Sequence, residues 1–177
     1  LESNGPVATM TSTLRAFDAA AGPLAPRTQR ILLAILAQPA LTSRFFNTLS
    51  LLEHIGSRKI MASQSRQSRP LLDQEVLKHL AEETRHALFF RRAAEQFAGR
   101  PLSYDAPDVI AGPTAVMYMA RLDARVAQGA SGPLAYLTMS ALVEFRAIWL
   151  YRLLQDCLKQ AGVVLNLNGI LAEESLH

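Results

Sequence analysis

The sequence predicts an all-α protein, and three observations carry this. Apolar residues recur at spacings of three and four over long stretches. Gly and Pro gather at a few points and cut the 177-residue chain into long segments. No period-two alternation is long enough to build a sheet; VVLNLN, at 163–168, comes nearest.

Each element has its own punctuation. Residues 1–25 read as an N-terminal extension, with Met10 a candidate natural start, and 26–177 as one domain. Residues 26–38 (PRTQRILLAILAQ) form a short apolar helix that ends before Pro39. The next helix spans 41–63, with Thr42 or Ser43 as N-cap. A polar SQSRQSRP connection follows, solvated, with an RNA contact as the lesser option. Asp73 then precedes a helix from Gln74 to Ala98, stopped by Gly99 and Pro101. Gly112-Pro113 opens a helix over 113–128, closed by Gly129. Gly132-Pro133 opens the longest, 133–161, closed by Gly162. A last helix starts near Gly169, with Asn168 as its cap.

Composition excludes several classes. Half of the residues are apolar and 19% are charged, so the chain can bury a core and is not disordered. Lys and Arg exceed Asp and Glu by 18 to 15, without a dense basic block, so nucleic acid is not an expected partner. The longest apolar run, Ile31–Ala37, is far short of the roughly 18 residues of a membrane span. No secretory leader is visible in residues 1–30. The single cysteine, Cys157, excludes a disulfide framework and a cysteine-rich zinc site, and fits the cytoplasm.

The informative pattern is acid on apolar faces. Phe46, Leu49, Glu53, Gly56 and Ile60 form one helical stripe whose only charge is Glu53. Val76, Leu80, Glu83, Ala87, Phe90 and Ala94 form a second, again with one acid, Glu83. Leu137, Ala141, Glu144, Ile148 and Tyr151 form a third; Glu144 is the only acid between Asp123 and Asp156. Leu167, Ile170, Glu174 and His177 continue the pattern. A carboxylate facing a core is costly unless it is paired or binds a cation. Four that converge would repel one another into protonation, and a pair of divalent cations removes both costs.

Two histidines fit the same plan. Glu83-Thr84-Arg85-His86 and Glu174-Ser175-Leu176-His177 are both Glu-x-x-His, which places carboxylate and imidazole on one helix face. With 9 Glu and 4 His, chance supplies roughly 0.2 such pairs, so two argue against coincidence. A further acid, Glu82 or Glu173, precedes each.

The order Glu … Glu-x-x-His … Glu … Glu-x-x-His, over residues 41–177, resembles that of the ferritin-like di-iron carboxylate superfamily. The resemblance implies a four-helix bundle with accessory helices. A long crossover at 99–132 would join the second and third core helices. It implies two metals held by Glu53, Glu83, His86, Glu144, Glu174 and His177. Glu83 and Glu174 would bridge, Glu53 and Glu144 would be terminal, and each His would bind one metal. Family members continue past the last histidine, so the fourth core helix is expected to be cut short here. Glu82-Glu83-Thr84-Arg85-His86 is also similar to the Asp/Glu-Glu-x-Arg-His sequence of multicomponent di-iron monooxygenases. That likeness casts Glu82, Arg85 and Glu173 as supports, with the acids orienting the histidines. Leu176 stands where the second motif would have Arg.

Other residues are read from spacing. His54 is about 100° around its helix from Glu53 and belongs to the surface. His79 shares the stripe of Glu83 and His86 and reads as a supporting group, with an extra ligand as the alternative. Tyr151 lies two turns from Glu144 and reads as packed core, with a hydrogen-bonding or radical role as the alternative. Gly56 leaves space for O2 or substrate, or permits close helix packing.

Oxygen and imidazole ligands suit iron, with manganese or a mixed Fe/Mn pair as the alternative. The resemblance therefore implies an oxidoreductase that activates O2 and oxidises a small organic substrate, with an electron donor and a homodimer as further partners. The alternatives are a ferroxidase or peroxide-detoxifying protein, and a non-catalytic bundle whose acids pair with Arg58, Arg85, Arg146 or Arg152.

Overall fold

The structure, a computed structural model, describes residues 6–65 and 74–174. The described residues are mostly helical, with no strand among them. In chain order the helices are α1 (Pro6–Ala21), α2 (Ala25–Leu36), α3 (Pro39–Ser65), α4 (Gln74–Ala98), α5 (Gly112–Gly129), α6 (Gly132–Gln160) and α7 (Asn168–Glu174). A single 3-10 turn, Gly22–Leu24, joins α1 to α2. None of these helices is long and apolar enough to cross a membrane. Most of the SQSRQSRP connection, Asp73 and His177 lie outside the described residues.

Local chemistry explains most boundaries. Gly99, at φ 64°, ends α4, and its N–H returns to the Glu95 carbonyl at 2.9 Å. Gly162, at φ 68°, ends α6 in the same left-handed conformation. Two caps differ from the sequence reading. α3 starts at Pro39, so Thr42 and Ser43 lie inside it. The Thr42 hydroxyl contacts the Ile35 and Gln38 carbonyls, and Ser43 donates across to the Ala94 carbonyl of α4 at 2.9 Å. At α7 the capping oxygen is that of Asn166, which accepts the Asn168 N–H at 2.8 Å. The 1–25 extension contains α1, which packs on α6 through Phe17 and Phe145, centroids 6.1 Å apart. Its Ser- and Thr-containing sequence carries no strong apolar stripe, only the Pro6 and Gly22-Pro23 boundaries.

The most extensive helix pair is α3 with α4. α2 packs on α6 and α3, α5 on α3 and α6, and α7 on α6. The core between them holds Phe46, Phe90, Leu154, Leu158, Leu167 and Ile170. Phe46 stacks on Phe90 and Phe97 with centroids 6.2 and 5.8 Å apart. The Leu167 N–H donates to Gln155 Oε1 at 2.7 Å and docks the start of α7 onto α6.

α3 also holds the segment between α4 and α5. Buried Asn47 donates to the Ser103 and Asp108 carbonyls at 2.7 and 2.8 Å, and its Oδ1 accepts from Arg91. Arg44 donates to the Val109 carbonyl, and Thr48 accepts the Ile110 N–H, both at 2.8 Å. Every backbone group named here lacks a helical partner, so these side chains satisfy what the segment itself leaves open.

The predicted stripes on α3 and α4 face the interior, but that on α6 does so only from Glu144 onward. Leu137 is 60% exposed. The turns before Glu144 border solvent and a cavity instead of packed helix.

Candidate metal centre

Glu53, Glu83, Glu144 and Glu174 come from α3, α4, α6 and α7 and are all buried, with exposures of 1–6%. Each sits where its helix turns an otherwise apolar face inward, so packing the four helices brings the carboxylates together.

Two overlapping groups of donor atoms result. Glu53, Glu83, His86 and Glu174 each offer one atom, all within 4.8 Å of one another. His79, Glu83 and Glu144 form the second group under the same limit. Glu83 is common to both. Two ligands on one cation stand up to about 4.4 Å apart, so atoms gathered this closely are within reach of a common ion. This buried Glu and His cluster can hold a metal ion.

The two histidines are oriented by different partners. His86 Nε2 lies 2.9 Å from Glu173 Oε2, and Arg85 holds the other Glu173 oxygen at 2.9 Å. With its proton on Nε2, His86 turns the Nδ1 lone pair toward the carboxylates. Nδ1 is 3.2 Å from Glu174 Oε1 but makes no hydrogen bond, and no neighbouring donor reaches either Glu174 oxygen; a bond to Glu144 forms only when one of the two carboxyls carries a proton. Orphaned polar atoms at such depth fit a cation between them. His79 Nε2 lies 3.1 Å from Glu144 Oε1 and 3.6 Å from Glu83 Oε1, while Nδ1 meets the Tyr136 hydroxyl at 3.0 Å.

Electrostatics report the same crowding. Burial, then the Glu144 and Glu53 carboxylates, push the Glu174 carboxyl up to about 12. Burial and the Glu83 charge also raise Glu53 well above the carboxylate range. Burial works against a protonated His79, but hydrogen bonds to Glu144 and Glu83 overcome it and raise the imidazole to about 11. Glu173 shows the opposite result: burial raises it, and bonds from Arg85 and His86 lower it further. The metal-free cluster thus stores protons where a cation would place charge.

No protein family, curated protein or solved structure matches this chain.

The remaining sequence-derived candidates have definite places. The Tyr151 hydroxyl donates to Glu53 Oε1, so this tyrosine fixes a carboxylate besides packing on Phe90. Glu82 is buried, with Arg85 at 3.7 Å. His54 stacks on Tyr104, centroids 5.7 Å apart. Gly56 gives room to Glu83: a Cβ there would lie 2.5 Å from Glu83 Oε2. Of the arginines considered as partners for the acids, Arg146 is near enough to Glu53 to lower it, though burial and Glu83 outweigh that effect. Arg85 serves Glu173 and Glu82, Arg152 pairs with Asp18, and Arg146 lies over the Tyr118 ring.

Sequence reasoning missed Tyr136 and the cavity it borders. The cavity holds about 500 Å³, begins at Gly56, His79, Glu83 and Glu144, and runs outward between α3, α5 and α6. A signal existed in the small residues Ala127, Ala130, Gly132 and Ala135, which leave space between helices.

Proposed function

We propose that this protein is a ferritin-like dinuclear iron oxidase or oxygenase that uses O2 to oxidise a small organic molecule. The supporting observation is Glu83, whose carboxylate belongs to both donor groups, as a ligand between two metals must. In this assignment α3, α4, α6 and α7 are the core helices, α5 lies in the crossover, and α1 and α2 are accessory.

Glu53 and His86 flank Glu83 on one side, and Glu144 and His79 flank it on the other. Glu174 contacts both sides through His86 and Glu144. His79 joins Glu83 and Glu144 in the second group, while His177, which the family resemblance makes a ligand, lies outside the described residues. Glu173 keeps the His86 proton on Nε2, and Tyr151 holds Glu53 in a single orientation. Phe46, Phe90 and Ile148, all fully buried, exclude water behind the cluster. Two ferrous ions bound here would supply electrons for the reduction of O2. The adjoining apolar cavity favours an organic substrate over iron storage.

The test is metal content by inductively coupled plasma mass spectrometry after anaerobic ferrous loading, followed by O2 uptake. About two irons per chain are expected. Glu83→Ala should lose both, and His86→Ala about one, with helical circular dichroism unchanged. Wild-type protein that stays metal-free, or full occupancy in Glu83→Ala, would refute the assignment.

A further inference from the structure

The cavity beside the cluster has a chemistry of its own. Its walls are mainly apolar, with Ile60 from α3, Met119 and Val126 from α5, and Met139 and Val143 from α6. Ala127 and Ala135 also line it, with the shortest side chains compatible with a regular helix. A volume of about 500 Å³ suits one drug-sized molecule.

Charge is absent from this space in net terms. Lys59 and Asp123, half-exposed at its solvent end, neutralise each other at 2.7 Å. At the inner end, the charges of Glu53, Glu83, Glu144 and Glu174 would balance two divalent cations. An ionic substrate would lose its hydration here and find no unmatched counter-charge.

We propose, on the basis of the dinuclear oxidase assignment, that the substrate is an uncharged, largely apolar molecule held between α3, α5 and α6. Ala130 and Ala135 set the width of its chamber, and Met119 and Met139 adapt to its shape, since thioether side chains are unbranched and flexible. The Tyr136 hydroxyl, on His79 Nδ1, offers a hydrogen-bonding group where the chamber meets the cluster.

The test uses two fluorescent probes of similar frame, neutral N-phenyl-1-naphthylamine and its sulfonated relative 8-anilinonaphthalene-1-sulfonate. Each is titrated into metal-free and iron-loaded full-length protein. The neutral probe should bind saturably, one per chain, and at least about 10-fold more tightly than the sulfonate. Ala130→Phe and Ala135→Phe, both half-buried in the wall, should each weaken it by about 10-fold or more, because an added ring fills the chamber. Leu134→Ser and Leu137→Ser, on the exposed face of α6, should leave it unchanged. Circular dichroism checks that each variant remains helical, and two different wall positions guard against one misfolded variant. Equal or tighter binding of the sulfonate, or binding indifferent to both alanine variants, overturns the proposal. Metal content of the same samples separates the two ideas. Protein that never loads iron yet binds the neutral probe refutes the oxidase assignment and retains the chamber; iron-loaded protein that binds no probe does the reverse.

Discussion

Loading the cluster with metal should expel protons, and the structure sets the number. Ligation requires an ionised carboxylate and a neutral imidazole. At pH 7 the metal-free cluster holds a proton on Glu174, raised to about 12, and one on His79, raised to about 11. Glu53, also raised, adds up to one more. Filling both sites should therefore release about two to three protons per chain, and apparent affinity should climb at least about 100-fold per pH unit. The assay is anaerobic calorimetry in buffers of differing ionisation enthalpy, where the slope of the observed heat counts protons. Full loading with fewer than about one proton released would refute the picture of a proton-storing cluster. The same shifts fix the sign of metal-free stability against pH. Both groups bind protons more tightly when folded, so their contribution is complete at low pH. The Glu174 share is lost as pH rises from 4.5 toward about 12, and the His79 share from 6.5 toward about 11. Each costs at most about 1.4 kcal/mol per pH unit within its window. The metal-free melting temperature should fall between pH 7 and 9, and the loaded protein should resist that fall.

Two further substitutions test neighbouring features. Gly56→Ala should separate stability from metal binding. Alanine favours the helix by about 1 kcal/mol, so metal-free melting should hold or rise, while Glu83 is displaced and metal affinity drops about 10-fold. Unchanged affinity by competitive chelation would show that Glu83 has room to spare. Asn47→Ala removes three hydrogen bonds that hold the segment between α4 and α5 and should cost about 2–3 kcal/mol, a melting shift of about 5–10 °C. A shift under about 2 °C would mean that this segment is held without it.

The main helices and the inner carboxylates were legible because burial writes itself into a 3.6-residue period. Glu53, Glu83, Glu144 and Glu174 stood out as single acids on apolar stripes, and all four are buried. What depends on partners from other helices was not legible. The stripe of α4 marks His79 as inward, but not that Glu144, 65 residues away, receives it. Tyr151 was placed by its distance from Glu144 on the same helix, yet its hydroxyl goes to Glu53 on α3. Leu137 kept the period of α6 while facing solvent, because periodicity records a helix face and not what covers it. Asn47 offered no pattern at all, since its partners are carbonyls of an irregular segment.

Glu173 and Glu174 are adjacent in sequence but divide their work, one locking His86 from outside and the other closing the cluster within. Both ride on α7, and the tie to His86 spans 87 residues. Contacts so distant in sequence form late, after the intervening chain has collapsed. During synthesis, then, the ribosome must release residue 174 before the proposed iron-binding donor set is complete. Partly made chains would carry Glu53, Glu83 and His86 without Glu174. Under the oxidase assignment, the order of translation itself would delay oxygen chemistry until the walls that contain it are in place.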